Sequence, residues 1–195
     1  MKNYPFIQTL YIFSSPFLYQ GNKDNDLLFI QQPLKKQSCG LVQPEYFMLN
    51  LSFFTESQEY NTCLNRKLCI DNEGNIKNCP AMKQSFGNIK DITLQEAISQ
   101  PGFTDLWFIN KDQIDVCKDC EFRRMCMDCR CFIKDPGNIY SQPAKCTYNP
   151  YICKWEGEDH YVPVEKCGSY SLKTGFVPNQ QKIQAWNKQI WREDK

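Results

Sequence analysis

Twelve cysteines stand in 195 residues, and ten of them fall between Cys63 and Cys153. Five residues separate Cys63 from Cys69, and Cys79 follows. After a gap come Cys117-x2-Cys120-x5-Cys126-x2-Cys129-x-Cys131, then Cys146 and Cys153. A C-x2-C pair on a tight turn sets two thiolates on one metal or cluster. The intervening amide N–H groups point at the sulfurs and stabilise the negative charge that the site collects. As a disulfide such a pair is typically redox-active, so two of them in close succession argue against a structural disulfide framework. Metal is the better reading. Thiolates serve zinc and iron–sulfur sites alike, and two all-cysteine zinc sites would use eight cysteines, so residue type leaves both open. The single histidine, His160, nearly excludes mixed Cys/His zinc sites and reads as a surface side chain.

Other chemistries find little support. The chain has no G-x4-G-K-S/T phosphate loop, no G-x-G-x-x-G turn and no histidine that a Ser/His/Asp triad could use, so no catalytic residue is assigned. The carboxylate pairs Asp112/Asp115 and Asp119/Glu121 lie among Lys111, Lys118, Arg123 and Arg124 and read as a solvated mixed-charge face. Lys+Arg exceeds Asp+Glu by 23 to 22, which disfavours a sequence-independent nucleic-acid binder. No window approaches the ~20 apolar residues of a membrane span. In Met1 to Tyr19 the apolar run is broken by Gln8, Thr9, Ser14, Ser15 and Pro16, which argues against a signal peptide. The expectation is a cytoplasmic protein, where clustered thiols hold metal more often than they pair.

The elements that must position the cysteines are short. Residues 1–55 lean towards strands at Phe6–Phe13, Leu27–Gln31 and Tyr46–Phe54, with a turn at Gly21–Asp26. Lys67–Ile70 and Asn75–Cys79 read as a β-hairpin whose turn uses Gly74 for a positive φ. Thr93-Leu94-Gln95-Glu96 fits a capping box that opens a short helix through Ser99, stopped by Pro101-Gly102. Asp135-Pro136-Gly137-Asn138 is a turn. After Pro178-Asn179, the residues Ile183, Trp186, Ile190 and Trp191 share one helical face, a docking surface onto the rest of the fold.

In this order the cysteines resemble the SPASM domain, the auxiliary-cluster domain of many radical-SAM peptide- and protein-modifying enzymes. The features that carry the likeness are Cys63, Gly74-x4-Cys79, Cys117-x2-Cys120-x5-Cys126 and Cys146, with Cys69 as the extra hairpin ligand of several members. The chain departs from the pattern after Cys126, where x2 to Cys129 replaces x3 and Cys131 lies just beyond. More narrowly, Cys63-Leu-Asn-Arg-Lys67, Asn78-Cys79-Pro80, Phe86-Gly87-Asn88-Ile89, Cys117-Lys-Asp-Cys-Glu-Phe-Arg123, Asp128-Cys129-Arg130 and Tyr148-Asn149-Pro150-Tyr151 are similar to the SPASM protein of grasp-with-spasm systems. Those systems pair it with an ATP-grasp ligase and a small precursor peptide.

The resemblance implies an α+β protein. Residues 1–58 would be the remnant of a partial α/β barrel, 59–155 a SPASM iron–sulfur domain, and 156–195 a C-terminal extension with a docking helix. The chain would correspond to the C-terminal half of such a maturase. The implied ligands of one 4Fe–4S cluster are Cys63, Cys69, Cys79 and Cys129, with Cys131 as the alternative to Cys129. Those of a second cluster are Cys117, Cys120, Cys126 and Cys146. Cys39, Cys153 and Cys167 would be plain thiols. The chain has no C-x3-C-x2-C triplet, so it has no radical-SAM site of its own. Its implied role is to bind the precursor or relay electrons beside the ligase, with neither nucleic acid nor membrane as a partner. The rival expectations are a zinc-organised four-cysteine interaction module without redox function, and an inactive fragment.

Overall fold

Short apolar runs become strands only where a partner run comes within reach, and the first residues supply three. The computed structural model describes residues 9–17, 19, 20, 26–29, 31, 33, 39, 42–44, 47–171 and 173–191. The chain divides into two compact units, residues 1–39 and 40–195. In the first, β1 (Thr9–Ile12) and β3 (Asp26–Phe29) run parallel with Thr9 opposite Asp26, and β2 (Tyr19–Gln20) lies antiparallel on the other edge of β3. The Phe17 ring stacks on Phe29 at 5.2 Å. The turn expected over Gly21–Asp26 falls, apart from Asp26, outside the described residues. So do Phe6–Gln8 of the first run, Ile30 of the second, Tyr46 of the third, and residues 1–8 and 18 of the segment weighed as a signal.

The third expected strand is instead a helix, α1 (Leu51–Glu59). Its aromatic residues favour strands, but Asn50 settles the matter by accepting from Phe53 N at 2.8 Å and capping the first turn. Thr55 Oγ1 then donates to Leu51 O. Phe53 and Ser57, four apart, turn their sides inward and are buried.

The hairpin expected next is present as β4 (Cys69–Ile70) and β5 (Ile76–Lys77), with Cys69 opposite Lys77. Asp71 organises its turn, accepting from Glu73 N at 3.0 Å and Asn75 N at 2.9 Å and pairing with Lys77 at 2.7 Å. Gly74 takes φ +87°, and a Cβ there would press on the Asn88 amide. Helix α2 (Leu94–Ile98) carries the reciprocal capping box of Thr93 and Glu96. Ile76, Phe86, Ala97 and Phe103 join hairpin and helix in one buried cluster.

The remainder is loop-rich. Pro136-Gly137 forms the expected turn, closed by Asn138 N on Asp135 O. Two hairpins follow, β6 (Tyr148–Asn149) with β7 (Lys154–Trp155) and β8 (Gly168–Ser171) with β9 (Gly175–Pro178). Helix α3 (Gln180–Ile190) starts at Asn179, which accepts from Lys182 N. Ile183, with Trp186 and Ile190 beside it, packs on Ile152, Val162 and Cys167. Trp191 stands past the helix end and is 53% exposed; its indole N–H donates to Ile152 O. Among the described residues no helix is long and apolar enough to cross a membrane.

Candidate metal centre

The Cys117 segment is built from consecutive tight turns. Cys117 N donates to Asp115 O at 2.7 Å across Val116, whose φ of 66° and ψ of −44° make a γ-turn that a β-branched residue adopts only under strain. One 3-10 turn, Cys117–Asp119, returns Cys120 N to Cys117 O, and a second, Glu121–Arg124, brings Cys126 N onto Phe122 O. Cys117, Cys120, Cys126 and Cys146 consequently line one pocket, walled by Phe47, Phe122, Tyr148 and Trp155. The β6–β7 hairpin holds this wall in place. Tyr148 Oη donates to Glu121, Tyr151 Oη donates to Asp119 at 2.7 Å, and the Tyr148 and Trp155 rings lie 4.7 Å apart.

Burial pushes the Cys117 thiol up to about 12; Lys111 pulls it the other way, and Cys146, Asp128 and Cys126 add to the rise. Burial likewise raises Cys120, against a hydrogen bond from the Phe122 backbone, and Cys126, against Lys111. Coordination to a metal deprotonates a cysteine thiol.

The second group gathers around Cys63. Asn61 Oδ1 accepts from Cys63 N at 3.0 Å and Leu64 N at 2.9 Å, fixing the loop after α1. The Cys63 thiol is pushed up to about 11 by burial, then by Cys129, with Lys67 opposing and Cys79 and Asp128 adding. Cys69, held on β4, is raised by burial and then by Cys79. Cys129 Sγ accepts from Phe132 N at 3.4 Å. Cys129 acts on Cys63, and Cys131, two residues on, is half-buried. Among the described residues no three His, Cys, Asp or Glu side chains converge tightly enough to hold a single metal ion.

Between the groups lies a buried charge cluster that corrects the expected mixed-charge face. Asp112 does sit outside, pairing with Arg123 at 3.1 Å and Arg124 at 2.5 Å. Lys111 and Asp115, however, are buried, each 4% exposed. Lys111 Nζ reaches Cys117 Sγ at 3.9 Å and Asp128 Oδ1 at 3.6 Å. Burial alone would lower the Lys111 ammonium, but Cys117, Cys126 and Cys146 in their deprotonated form, together with Asp128, overcome it and hold it above the usual lysine range. Asp128 also takes Arg130 Nη2 at 2.8 Å and Asn61 Nδ2 at 2.6 Å. Arg130 Nε stands 2.7 Å from its other oxygen as an ion pair, not aligned as a hydrogen bond. Lys111 has the shape of a surface lysine in sequence, and nothing local marks it as inward.

The remaining cysteines differ in setting. Cys39 and Cys153 are exposed; Cys167 is buried and accepts from Asn149 Nδ2 at 3.4 Å. No disulfide links any of the described cysteines. His160 is exposed, as expected.

A cysteine-bearing hairpin, a C-x2-C turn and a pocket lined by four cysteines are thus in place on one unit. Residues 62–121 match the SPASM family, an iron–sulfur cluster-binding domain. No curated protein and no solved structure matches the chain. The SPASM match takes in Cys63, Cys69, Cys79, Cys117 and Cys120 and stops short of Cys126, Cys129 and Cys146. The donor set suits the group that SPASM domains bind: soft sulfur ligands, a backbone N–H on Cys129 Sγ, and a buried cation 3.9 Å from Cys117.

Proposed function

We propose that the chain is the iron–sulfur component of a peptide maturase. On this reading residues 59–155 hold two 4Fe–4S clusters, one on Cys63, Cys69, Cys79 and Cys129 (or Cys131 in its place), the other on Cys117, Cys120, Cys126 and Cys146. The protein acts on a ribosomally synthesised precursor peptide beside an ATP-grasp ligase, by binding the precursor or relaying electrons. The three strands of residues 1–39 are read as the last part of a partial α/β barrel.

The observation that carries the proposal is the pocket lined by Cys117, Cys120, Cys126 and Cys146 with Lys111 buried against it, in a chain whose residues 62–121 match the iron–sulfur domain. Clusters ligated by four cysteines have no open coordination site and serve as structure or as electron relays. The chain's own residues supply the rest. Phe47, Phe122, Tyr148 and Trp155 give the pocket an apolar wall, the tyrosine–carboxylate contacts fix the C-x2-C turn, and Phe132 N–H offsets charge on Cys129. The narrower assignment to a grasp-with-spasm system is supported by the motifs around Cys63, Cys79, Cys117 and Tyr148.

Anaerobic reconstitution with iron and sulfide tests the first part: about 8 Fe and 8 sulfide per chain are expected, and metal analysis dominated by zinc would reject it. Affinity capture from the native cell tests the second. An ATP-grasp protein or a short neighbouring peptide should co-purify, and their absence from a capture that retains iron would remove the maturase role.

A further inference from the structure

A continuous line of buried polar contacts runs from one cysteine group to the other. Cys63 N donates to Asn61 Oδ1 at 3.0 Å, and Asn61 Nδ2 donates to Asp128 Oδ2 at 2.6 Å. Asp128 Oδ1 lies 3.6 Å from Lys111 Nζ, which lies 3.9 Å from Cys117 Sγ. Asn61, Asp128 and Lys111 are 0%, 1% and 4% exposed. Their charges do not cancel among themselves. Asp128 carries one negative charge against the two positive charges of Arg130 and Lys111.

Arg130 is occupied by Asp128 and by the carbonyls of Ile139 and Ser141. The surplus cation is therefore Lys111, the more distant of the pair from Asp128 and the one that faces sulfur. A buried uncompensated charge is strongly disfavoured, so Lys111 needs a negative partner, and the Cys117 group supplies one once its thiols are deprotonated.

We infer that Lys111 is a charge-compensating residue for the Cys117, Cys120, Cys126 and Cys146 group, that it sets how readily a cluster held there accepts an electron, and that Asp128 ties its position to the Cys63 group. This rests on the iron–sulfur reading above. Lys111 acts as a positioning and electrostatic residue and is not a ligand. Reduction adds one electron, supplied by dithionite, to the metal–sulfide core; no bond forms or breaks and no proton moves. A fixed cation at the sulfur favours the more negative, reduced state, so removing it makes reduction harder.

The test is an anaerobic redox titration of the full chain, reconstituted with iron and sulfide and followed by electron paramagnetic resonance. The signal lost in Cys120→Ala identifies the cluster concerned. In Lys111→Met its equilibrium constant for reduction should fall at least tenfold, about 59 mV for one electron, while the other signal stays in place. Lys111→Arg, which keeps the charge, should recover most of the shift. If Lys111→Met loses half the iron and Lys111→Arg does not, charge is needed for assembly itself and the inference stands. Unmoved potentials in Lys111→Met, or equal shifts or equal iron losses in both variants, overturn it. An unaltered chain that takes zinc and no iron refutes the iron–sulfur reading and this inference together, whereas a loaded chain indifferent to Lys111→Met refutes this inference alone.

Discussion

Replacing Asp128 with Asn keeps the shape of the side chain and removes the negative charge that Arg130 and Lys111 share. At an effective dielectric of about 20, the attraction is about 6 kcal/mol for Arg130 at 2.7 Å and about 5 kcal/mol for Lys111 at 3.6 Å. The cost of holding a carboxylate away from water cancels much of this, and breaking such a buried pair from one side costs about 3–5 kcal/mol. With a urea dependence of about 2 kcal/mol/M, Asp128→Asn should lower the midpoint of unfolding by about 2 M. Tryptophan fluorescence of the metal-loaded chain, under anaerobic conditions, reads this directly. Adding Arg130→Met withdraws one of the stranded cations, so the double variant should lose less than the sum of the single ones, by about 1–3 kcal/mol. A midpoint within about 0.5 M of the unaltered chain, or simple additivity, would refute the claim that a shared charge organises this region.

Asn61→Ala leaves the N–H groups of Cys63 and Leu64 and the Ile109 carbonyl without a partner in a fully buried site, and should cost about 3 kcal/mol by the same urea assay. Ile183→Ala removes the buried anchor of α3 and should cost about 2–5 kcal/mol; an unchanged midpoint would mean that the helix does not contribute to stability. The Asp71 carboxyl is held well below its ordinary 3.8 by hydrogen bonds from Lys77, Asn75 and Glu73. A depressed folded value means that its contribution is complete above pH 3.8 and is lost as pH falls through the folded value. Amide exchange at Glu73 and Asn75 should therefore stay slow at pH 4 and quicken only in stronger acid; loss of protection already at pH 4 would contradict this.

What the sequence disclosed and what it hid divide along a physical line. Features whose partners lie within a few residues were readable: the Gly74 turn, the Thr93/Glu96 capping box, the Pro136-Gly137 turn and the start of α3 after Asn179 are all specified by local chemistry. The run at Tyr46–Phe54 misled because β-propensity reflects packing on a sheet, and no strand among the described residues pairs with it; the Asn50 cap decided for a helix. Lys111 and Asp115 looked like part of a solvated face because their neighbours in the chain are charged. Their partners in space explain the burial: Asp128 is seventeen residues from Lys111, and Asn138 is twenty-three from Asp115. Asn61, sixty-seven residues from Asp128, could not be singled out at all. The cysteine spacing grouped the thiols, but the cation that sits against one of them shows only in three dimensions.

The γ-turn at Val116 adds a consequence for how little of this chain could be kept. A valine bent that way does not stay so by itself. What pins it is contact with Val164 and Phe176, all three being 2% exposed or less. Both neighbours come from beyond residue 155, so a version stopped there would retain every one of the eight sulfurs and yet release the first of the C-x2-C pair from its restraint. Counting cysteines would then overstate what the shortened protein can assemble, because the latch on Cys117 is carried by apolar side chains at the far end of the sequence.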